Sequence, residues 1–181
     1  MGAGRDHVMA ERHERMAPQL LFEPAQAKDM DRLVELERQS FTAPWTRKMF
    51  EAELQNPFSR LVTARTMAEG RTGVIVGYLC LWIVFEELRL MNLAVDPGSR
   101  RRGIARALVL QALSLARDQG AERAVLEVRA SNQAARNLYE GLGFRQVAVR
   151  ANYYSNPTED AVLMQRESVN VLTLQPGGPA C

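Results

Sequence analysis

The feature that most constrains the fold is a strand that runs into an arginine-rich loop and then directly into a helix. Apolar residues predict a strand at 88–95, a turn follows at 96–98, and helical periodicity extends from Gly103 to residue 118. Such a junction places unpaired backbone N–H groups at the positive end of a helix dipole, and the arginines add charge. It therefore predicts a pyrophosphate site, and the alternative is an arginine-rich turn that only solvates a helix start.

The remaining periodicity predicts further strands and helices around this junction. Strand patterns occur at 20–23, 60–66, 74–85 and 124–128, and a closing hairpin is predicted from 144–149 and 161–164, with 152–157 at its tip. Helical patterns occur at 28–38, 47–54 and 132–140, with Thr46 and Ser131 as candidate N-caps. This order predicts one mixed α/β domain at 18–167, with a disordered arm at 1–17 and a flexible tail at 168–181.

Composition and charge argue against several classes of protein. The chain has 181 residues and a formal net charge of +2, which gives no electrostatic indication of direct nucleic-acid or membrane binding. The longest apolar run, 78–85, is far shorter than the roughly 20 residues that span a membrane. Two cysteines and two histidines without metal-ligand spacing predict no metal site and a cytoplasmic protein. We expect a monomer.

Several motifs together resemble one enzyme family. Arg100-x-x-Gly103-x-Ala105, after an apolar strand, resembles the acetyl-CoA motif of the GNAT acetyltransferases, although Ala105 stands where a second glycine is commoner. The segments Leu-Glu-Val-Arg-Ala-Ser-Asn at 126–132, Asn-Leu-Tyr-Glu-Gly-Leu-Gly-Phe at 137–144 and Arg-Ala-Asn-Tyr-Tyr at 150–154 resemble its RimI-type members, which acetylate the N-terminal alanine of a ribosomal protein. The resemblance covers about residues 20–166. It implies a central, mostly antiparallel sheet flanked by helices, with a splayed strand pair that holds acetyl-CoA.

The same resemblance implies which residues bind the co-substrate acetyl-CoA. The backbone of the basic loop and the following helical turn would hold the pyrophosphate, the preceding strand would pair with the pantetheine arm, and Asn132 would lie near the thiol end. The implied cofactor-binding residues are Leu93, Ala94, Val95, Arg101, Arg102, Gly103, Ile104, Ala105, Arg106 and Asn132.

Two residues are candidates for proton transfer. Glu127 lies in the middle of an apolar strand, where the alternative is an ion pair with an arginine or exposure on one strand face. Tyr139 lies on a helix, where the alternative is core packing. The resemblance implies that Glu127 is the general base for the amine and that Tyr139 is the general acid for the leaving thiolate.

Three aromatic residues are candidates for contact with the acceptor. Tyr153 and Tyr154 would lie at the hairpin tip, and Trp45, with Phe41, would form the opposite wall; in each case packing is the alternative. Cys80 lies in an apolar run that would raise the pKa of its thiol, so we expect core packing and not a covalent acetyl-cysteine.

The expected function is transfer of an acetyl group from acetyl-CoA to the N-terminal alanine of a small-subunit ribosomal protein. Two alternatives stay open from the sequence. One is a GNAT enzyme that acts on other protein N-termini, lysines or small amines. The other is a non-catalytic module that binds acetyl-CoA, although such a module would not need both Glu127 and Tyr139.

Overall fold

One sheet of seven strands, with helices on both faces, forms the domain. This computed structural model describes residues 19–68 and 71–170. The strands are β1 (Leu20–Pro24), β2 (Ser59–Ala68), β3 (Arg71–Val84), β4 (Glu87–Val95), β5 (Arg123–Arg129), β6 (Arg145–Ser155) and β7 (Thr158–Arg166), and the helices are α1 (Met30–Ser40), α2 (Arg47–Gln55), α3 (Ile104–Asp118) and α4 (Gln133–Glu140). The predicted mixed α/β class is confirmed.

The strand order is β1-β2-β3-β4-β5-β7-β6, and every neighbouring pair is antiparallel except β4 and β5. The single parallel pair follows from the connection, because α3 carries the chain back across one face of the sheet between β4 and β5. The expectation of a mostly antiparallel sheet is confirmed.

The apolar run at 78–85 is the second half of β3, which is buried on both faces, except for Phe85, which follows the strand and is exposed. Leu79, Leu81 and Ile83 of β3 belong to the core under α3 and α4, whereas Tyr78 and Cys80 belong to the core under α1 and α2. This alternation follows from the two-residue period of a strand, and it explains why the run is continuously apolar without spanning a membrane. Within the described ranges, no helix has the length and apolar character needed to cross a bilayer.

Strands β4 and β5 separate beyond their fourth paired residue. Their ladder begins at Glu87 with Arg123 and ends at Leu90 with Leu126, although β4 continues to Val95 and β5 to Arg129. The register between β3 and β4 shifts at the same level, where Met91 is the extra residue of a bulge. The predicted splayed strand pair is therefore confirmed, and the gap between its strands opens towards the start of α3.

Two local predictions are corrected. The closing hairpin is longer than predicted: β6 extends to Ser155 and β7 begins at Thr158, so its turn lies at 156–157 and both Tyr153 and Tyr154 are strand residues. The N-cap of α4 is Asn132 and not Ser131, because the Asn132 Oδ1 accepts a hydrogen bond from the N–H of Ala135 at 3.1 Å.

The predicted arm at 1–17 and residues 171–181 of the predicted tail lie outside the described residues. Residues 168–170, in contrast, pack on the domain. Val169 is buried in the core under α3, and its N–H donates to the carbonyl of Glu122 at 2.9 Å. The buried guanidinium of Arg166 donates to the carbonyls of Ser168 at 2.5 Å and Asn170 at 2.6 Å. Packing therefore continues beyond the predicted boundary at residue 167.

Candidate active site

A cleft of about 980 Å³ occupies the gap between β4 and β5. The start of α3 forms one end, α4 forms one side, and the α1–α2 loop with the β6–β7 hairpin forms the other end. Of the candidate site residues, all except Arg102, Glu127 and Tyr153 line it: Trp45, Leu93, Ala94, Val95, Arg101, Gly103, Ile104, Ala105, Arg106, Asn132, Tyr139 and Tyr154.

The β4 wall offers backbone groups to a ligand. The N–H of Asp96 donates to the carbonyl of Val76 at 2.8 Å, and the register pairs Ala94 with Tyr78. Because backbone groups alternate in direction along a strand, Ala94 hydrogen-bonds to β3, whereas the N–H and C=O of Leu93 and Val95 point into the gap. An extended amide-containing chain could therefore pair with the backbone of Leu93 and with the N–H of Val95 as an added strand, while the Val95 carbonyl also accepts a hydrogen bond from Arg100.

The basic loop ends at the cleft with the first turn of α3. Gly103 is the N-cap and has φ +78°, a left-handed conformation that glycine adopts without a steric penalty. The first bond of the helix runs from the N–H of Ala107 to the carbonyl of Gly103, at 2.9 Å. The N–H groups of Ile104, Ala105 and Arg106 thus have no partner within the helix and can bind an anion.

Gly77 lets this turn lie close to the sheet. A Cβ atom there would stand 3.0 Å from the carbonyl oxygen of Ala94, 3.4 Å from Ile104 and 3.3 Å from Leu108. A larger residue would crowd the Ala94 carbonyl and push the start of α3 away from β3. The sequence analysis did not single out Gly77, and only the tertiary contact reveals its role.

Arg100 fixes the base of the loop. Its Nε donates to the carbonyl of Val95 at 3.1 Å, and its Nη2 donates to Ser40 Oγ at 3.2 Å, so it links the end of β4 with the end of α1. Arg101 and Arg106 line the cleft, whereas Arg102 does not. Arg101 has φ +60°, an uncommon conformation for a non-glycine residue that is found preferentially at functional sites.

Tyr139 of α4 lies beside the middle of the cleft. Its ring makes an edge contact with Phe144, with the centroids 5.8 Å apart, so the packing alternative describes part of its surroundings. Burial, with a smaller contribution from Tyr154, raises the pKa of Tyr139 to about 12. The phenol is therefore protonated at neutral pH and can act as a donor. Asn132 also lines the cleft, and since its Oδ1 caps α4, its amide Nδ2 is the group that could donate to a ligand.

Glu127 lies on β5 outside the cleft lining. Its Oε1 accepts a hydrogen bond from Arg150 Nη1 at 2.6 Å, and its side chain is 29% exposed. The Tyr153 hydroxyl also interacts with Glu127, and this hydrogen bond is the main cause of the raised pKa of Tyr153. The ion pair with an arginine, which the sequence left as the alternative, is therefore present. A base role for Glu127 requires a bridging water or movement of Arg150.

The far end of the cleft has aromatic and polar walls. Trp45 makes an edge contact with Phe50, with ring centroids 5.5 Å apart, and Tyr154 makes one with Tyr153 at 5.2 Å. Trp45 and Tyr154 line the cleft from opposite sides, together with Phe41, Thr42, Ala43, Pro157 and Glu159.

Glu37 is a buried carboxylate in the cleft wall that the sequence analysis missed. Its Oε1 accepts hydrogen bonds from the Tyr78 hydroxyl and from Asn92 Nδ2 (2.8 Å), and its Oε2 accepts from the N–H of Trp45 at 2.7 Å. Burial raises its pKa, although these donors partly oppose that shift. A sequence signal existed, because Glu37 follows Met30 and Leu33 by seven and four residues and so shares their buried helix face.

Cys80 is fully buried and packs in the core under α1 and α2. Burial raises the pKa of its thiol to about 12, so the thiol is not ionised at neutral pH. The prediction of core packing is confirmed.

Known proteins resemble this chain over most of its length. A Bacillus subtilis (strain 168) relative is 35% identical over 138 residues, which cover 76% of this chain and 88% of the relative. An Escherichia coli (strain K12) protein named as a ribosomal protein bS18-alanine N-acetyltransferase is 33% identical over 138 residues, covering 75% and 89%. The crystal structure of the ribosomal-protein-S18-alanine N-acetyltransferase from Escherichia coli has a TM-score of 0.72 at 30% identity, covering 82% and 93%.

A family model gives the same assignment. The model of the Acetyltransferase (GNAT) family matches residues 30–144, more than half of the chain. The matched segment contains β4, the basic loop, α3, β5 and α4, which build most of the cleft. The chain therefore belongs to the GNAT family of acetyltransferases, and it is an acyltransferase that uses acetyl-CoA as co-substrate.

Proposed function

We propose that this chain acetylates the N-terminal alanine of ribosomal protein bS18. The observation that carries the proposal is a single cleft that joins the free amides of α3, the Tyr139 phenol and an open mouth between the α1–α2 loop and the β6–β7 hairpin. The acceptor is inferred from the names of the Bacillus subtilis and Escherichia coli relatives, of which this chain covers 88% and 89%. An exposed chain terminus can enter such a mouth more easily than a residue inside a folded protein.

The residues of the cleft fit acetyl-CoA. The unpaired N–H groups of Ile104, Ala105 and Arg106 and the nearby arginines suit a pyrophosphate, and the backbone of Leu93 and Val95 suits the amides of the pantetheine arm. When bound, acetyl-CoA supplies an acetyl thioester. Arg102 lies outside the cleft lining, so we propose no contact between its side chain and acetyl-CoA.

Tyr139 and Glu127 are the proposed proton-transfer residues. Transfer forms an N–C bond to the acceptor and breaks the C–S bond, so the amine loses a proton and the sulfur gains one. Tyr139 donates to the sulfur because burial keeps its phenol protonated. Glu127 accepts the amine proton through a water, since its side chain does not line the cleft. An α-amine, with a pKa of about 7.7–8.0, needs only modest help.

We predict that Arg101→Gln and Arg106→Gln each raise the KM for acetyl-CoA about tenfold, because each removes a charged donor near the pyrophosphate. Arg117→Gln is the control, since Arg117 lies at the other end of α3 and pairs with Asp118. Steady-state kinetics at low and moderate salt would measure the effect, which should shrink as salt screens the charge. Equal KM values in all three variants would contradict the assignment.

The function is tested by mass spectrometry after incubation with acetyl-CoA and three synthetic peptides. One peptide carries the N-terminal sequence of bS18 with a free alanine, a second has the same sequence with leucine first, and a third has a blocked N-terminus and free lysines. We expect acetylation of the alanine peptide, weaker acetylation of the leucine peptide and none of the blocked peptide.

Other results would replace the proposal. Preferred acetylation of the lysines would identify a lysine acetyltransferase. Equal rates for the alanine and leucine peptides would identify an enzyme of broader N-terminal specificity. No transfer, despite measurable binding of acetyl-CoA, would favour a small-amine acceptor or a binding module.

A further inference from the structure

Arg129, the last residue of β5, makes an unusual number of contacts at the acceptor end of the cleft. Its guanidinium carbon lies 4.1 Å from the centroid of the Tyr154 ring, a cation–π contact. Its Nη2 donates to the carbonyl of Asn156 at 3.0 Å, and its Nη1 donates to the carbonyl of Pro157 at 3.3 Å and to Glu159 Oε2 at 3.2 Å. One side chain thus holds Tyr154 and the turn of the β6–β7 hairpin.

The same contacts join the two walls of the mouth. The Asn156 carbonyl also accepts a hydrogen bond from Thr42 Oγ1 at 2.9 Å, so the α1–α2 loop and the hairpin meet at one oxygen atom. Glu159 Oε1 accepts from the N–H of Ser131 at 2.5 Å, which ties the hairpin to the turn before α4. Hydrogen bonds from Ser131, and then from Arg129, lower the pKa of Glu159, which shows that the carboxylate form is stabilised by both partners.

We propose that Arg129 is the positioning residue that sets the width of the acceptor mouth and thereby selects the first residue of the acceptor. This inference rests on the proposed function. The mouth that the acceptor enters is lined by Tyr154, Pro157 and Thr42. The contacts of Arg129 determine the positions of these residues. The backbone ladder between β5 and β7 does not depend on the Arg129 side chain. Loss of that side chain frees Tyr154 and the turn at 156–157, which widens the mouth and leaves the cofactor end of the cleft unchanged.

The chemistry of arginine suits this task. A planar guanidinium can stack on a ring and donate in several fixed directions at once, whereas a lysine ammonium has no plane to stack and binds as a point charge. We therefore expect Arg129→Lys to rescue only part of the effect of Arg129→Gln, although it keeps the charge. If Arg129 acted only through its charge, Arg129→Lys would restore the peptide KM of the unaltered protein.

The test compares Arg129→Gln, Arg129→Lys and Thr42→Val with Arg123→Gln. Arg123 begins the same strand and pairs with Glu87 at the opposite end, so it is a matched control. We expect Arg129→Gln to raise the KM for the alanine peptide by about tenfold or more, since small misplacements are costly. Thr42→Val, which removes one exposed hydrogen bond, should raise it about threefold. The KM for acetyl-CoA should not change, and the preference for alanine over leucine should fall.

Hydrogen exchange gives a second readout that needs no acceptor. The amides of residues 154–156, 158 and 159 should exchange faster in Arg129→Gln than in the unaltered protein, while those of α3 keep their protection. An unchanged peptide KM and alanine preference, or equal rises of both KM values, would overturn the proposal. If the unaltered protein acetylates neither free-terminus peptide, the proposed function fails, and Arg129 is then judged by hydrogen exchange and by the KM of the amine that is acetylated.

Discussion

Tyr139→Phe is expected to lower kcat for peptide acetylation about 10²–10⁴-fold, the range for a lost general acid. The affinity for acetyl-CoA should stay nearly unchanged, because the ring and its contact with Phe144 are kept. Rapid-quench or steady-state kinetics together with calorimetric titration of CoA would measure both quantities. Since burial raises the pKa of Tyr139 to about 12, its deprotonation should produce no fall in rate between pH 6 and 10.

A packing role for Tyr139 makes the opposite prediction. Phenylalanine fills nearly the same space, so a residue that only packs would leave kcat unchanged and thermal stability similar. Tyr139→Leu is the companion variant, because it removes both the hydroxyl and the aromatic contact. If both variants turn over at the rate of the unaltered protein, Tyr139 has no part in proton transfer.

Glu37→Ala is expected to lower the free energy of unfolding by about 3 kcal/mol, because it leaves the buried Tyr78 hydroxyl, Asn92 and the N–H of Trp45 without their acceptor. For a chain of this size, the melting temperature should fall by about 6–12 °C. The α1–α2 loop should also loosen, since Glu37 holds its end at Trp45. Thermal and urea unfolding would measure the change.

Glu35→Ala is the control on the same helix. Its side chain is 54% exposed and pairs with Arg32 three residues earlier, so its removal should change stability by less than about 0.5 kcal/mol. Similar losses in the two variants would show that helix propensity, and not the buried network, accounts for the effect.

The Glu37 carboxylate should make the free energy of unfolding depend on pH. Burial raises the pKa of Glu37 in the folded state, so the folded protein binds this proton more tightly than the unfolded chain. Protonation of Glu37 therefore stabilises the folded state fully below pH 4.5, which is the ordinary pKa of a glutamate. This stabilisation is lost as pH rises through the raised pKa of the folded state. Glu37→Gln has no such group, so its stability should lack this part of the slope.

Local patterns in the sequence determined most of the elements. The periods of about 2 and 3.6 residues placed the strands and helices, and Thr46 and Gly103 marked helix boundaries, because these signals act within a few residues. The length of the β6–β7 hairpin was underestimated. Tyr153 and Tyr154 lie next to asparagine, serine and proline, which are typical of turns, yet pairing with β7 extends the strand through them.

The sequence grouped cleft-lining residues correctly where one continuous segment contributes them. Leu93, Val95, Gly103, Ile104 and Ala105 come from β4, the basic loop and α3, and their positions follow from a strand that runs directly into a helix. The segment also carries a family motif. Spacing and chemistry indicated an anion site here, whereas the assignment of these residues to acetyl-CoA came from the family resemblance and stays a prediction.

Contacts between distant segments were decided only by the tertiary structure. Glu37 lies 41 residues from Tyr78 and 55 from Asn92, Glu127 lies 23 from Arg150, and Arg129 lies 27 from Asn156. The sequence fixes which of these groups are charged or polar, because that is a property of each residue. Which of these groups meet depends on the strand order and on where β4 and β5 separate. Strand register brings together residues that are far apart in the sequence, and no local pattern indicates such pairs.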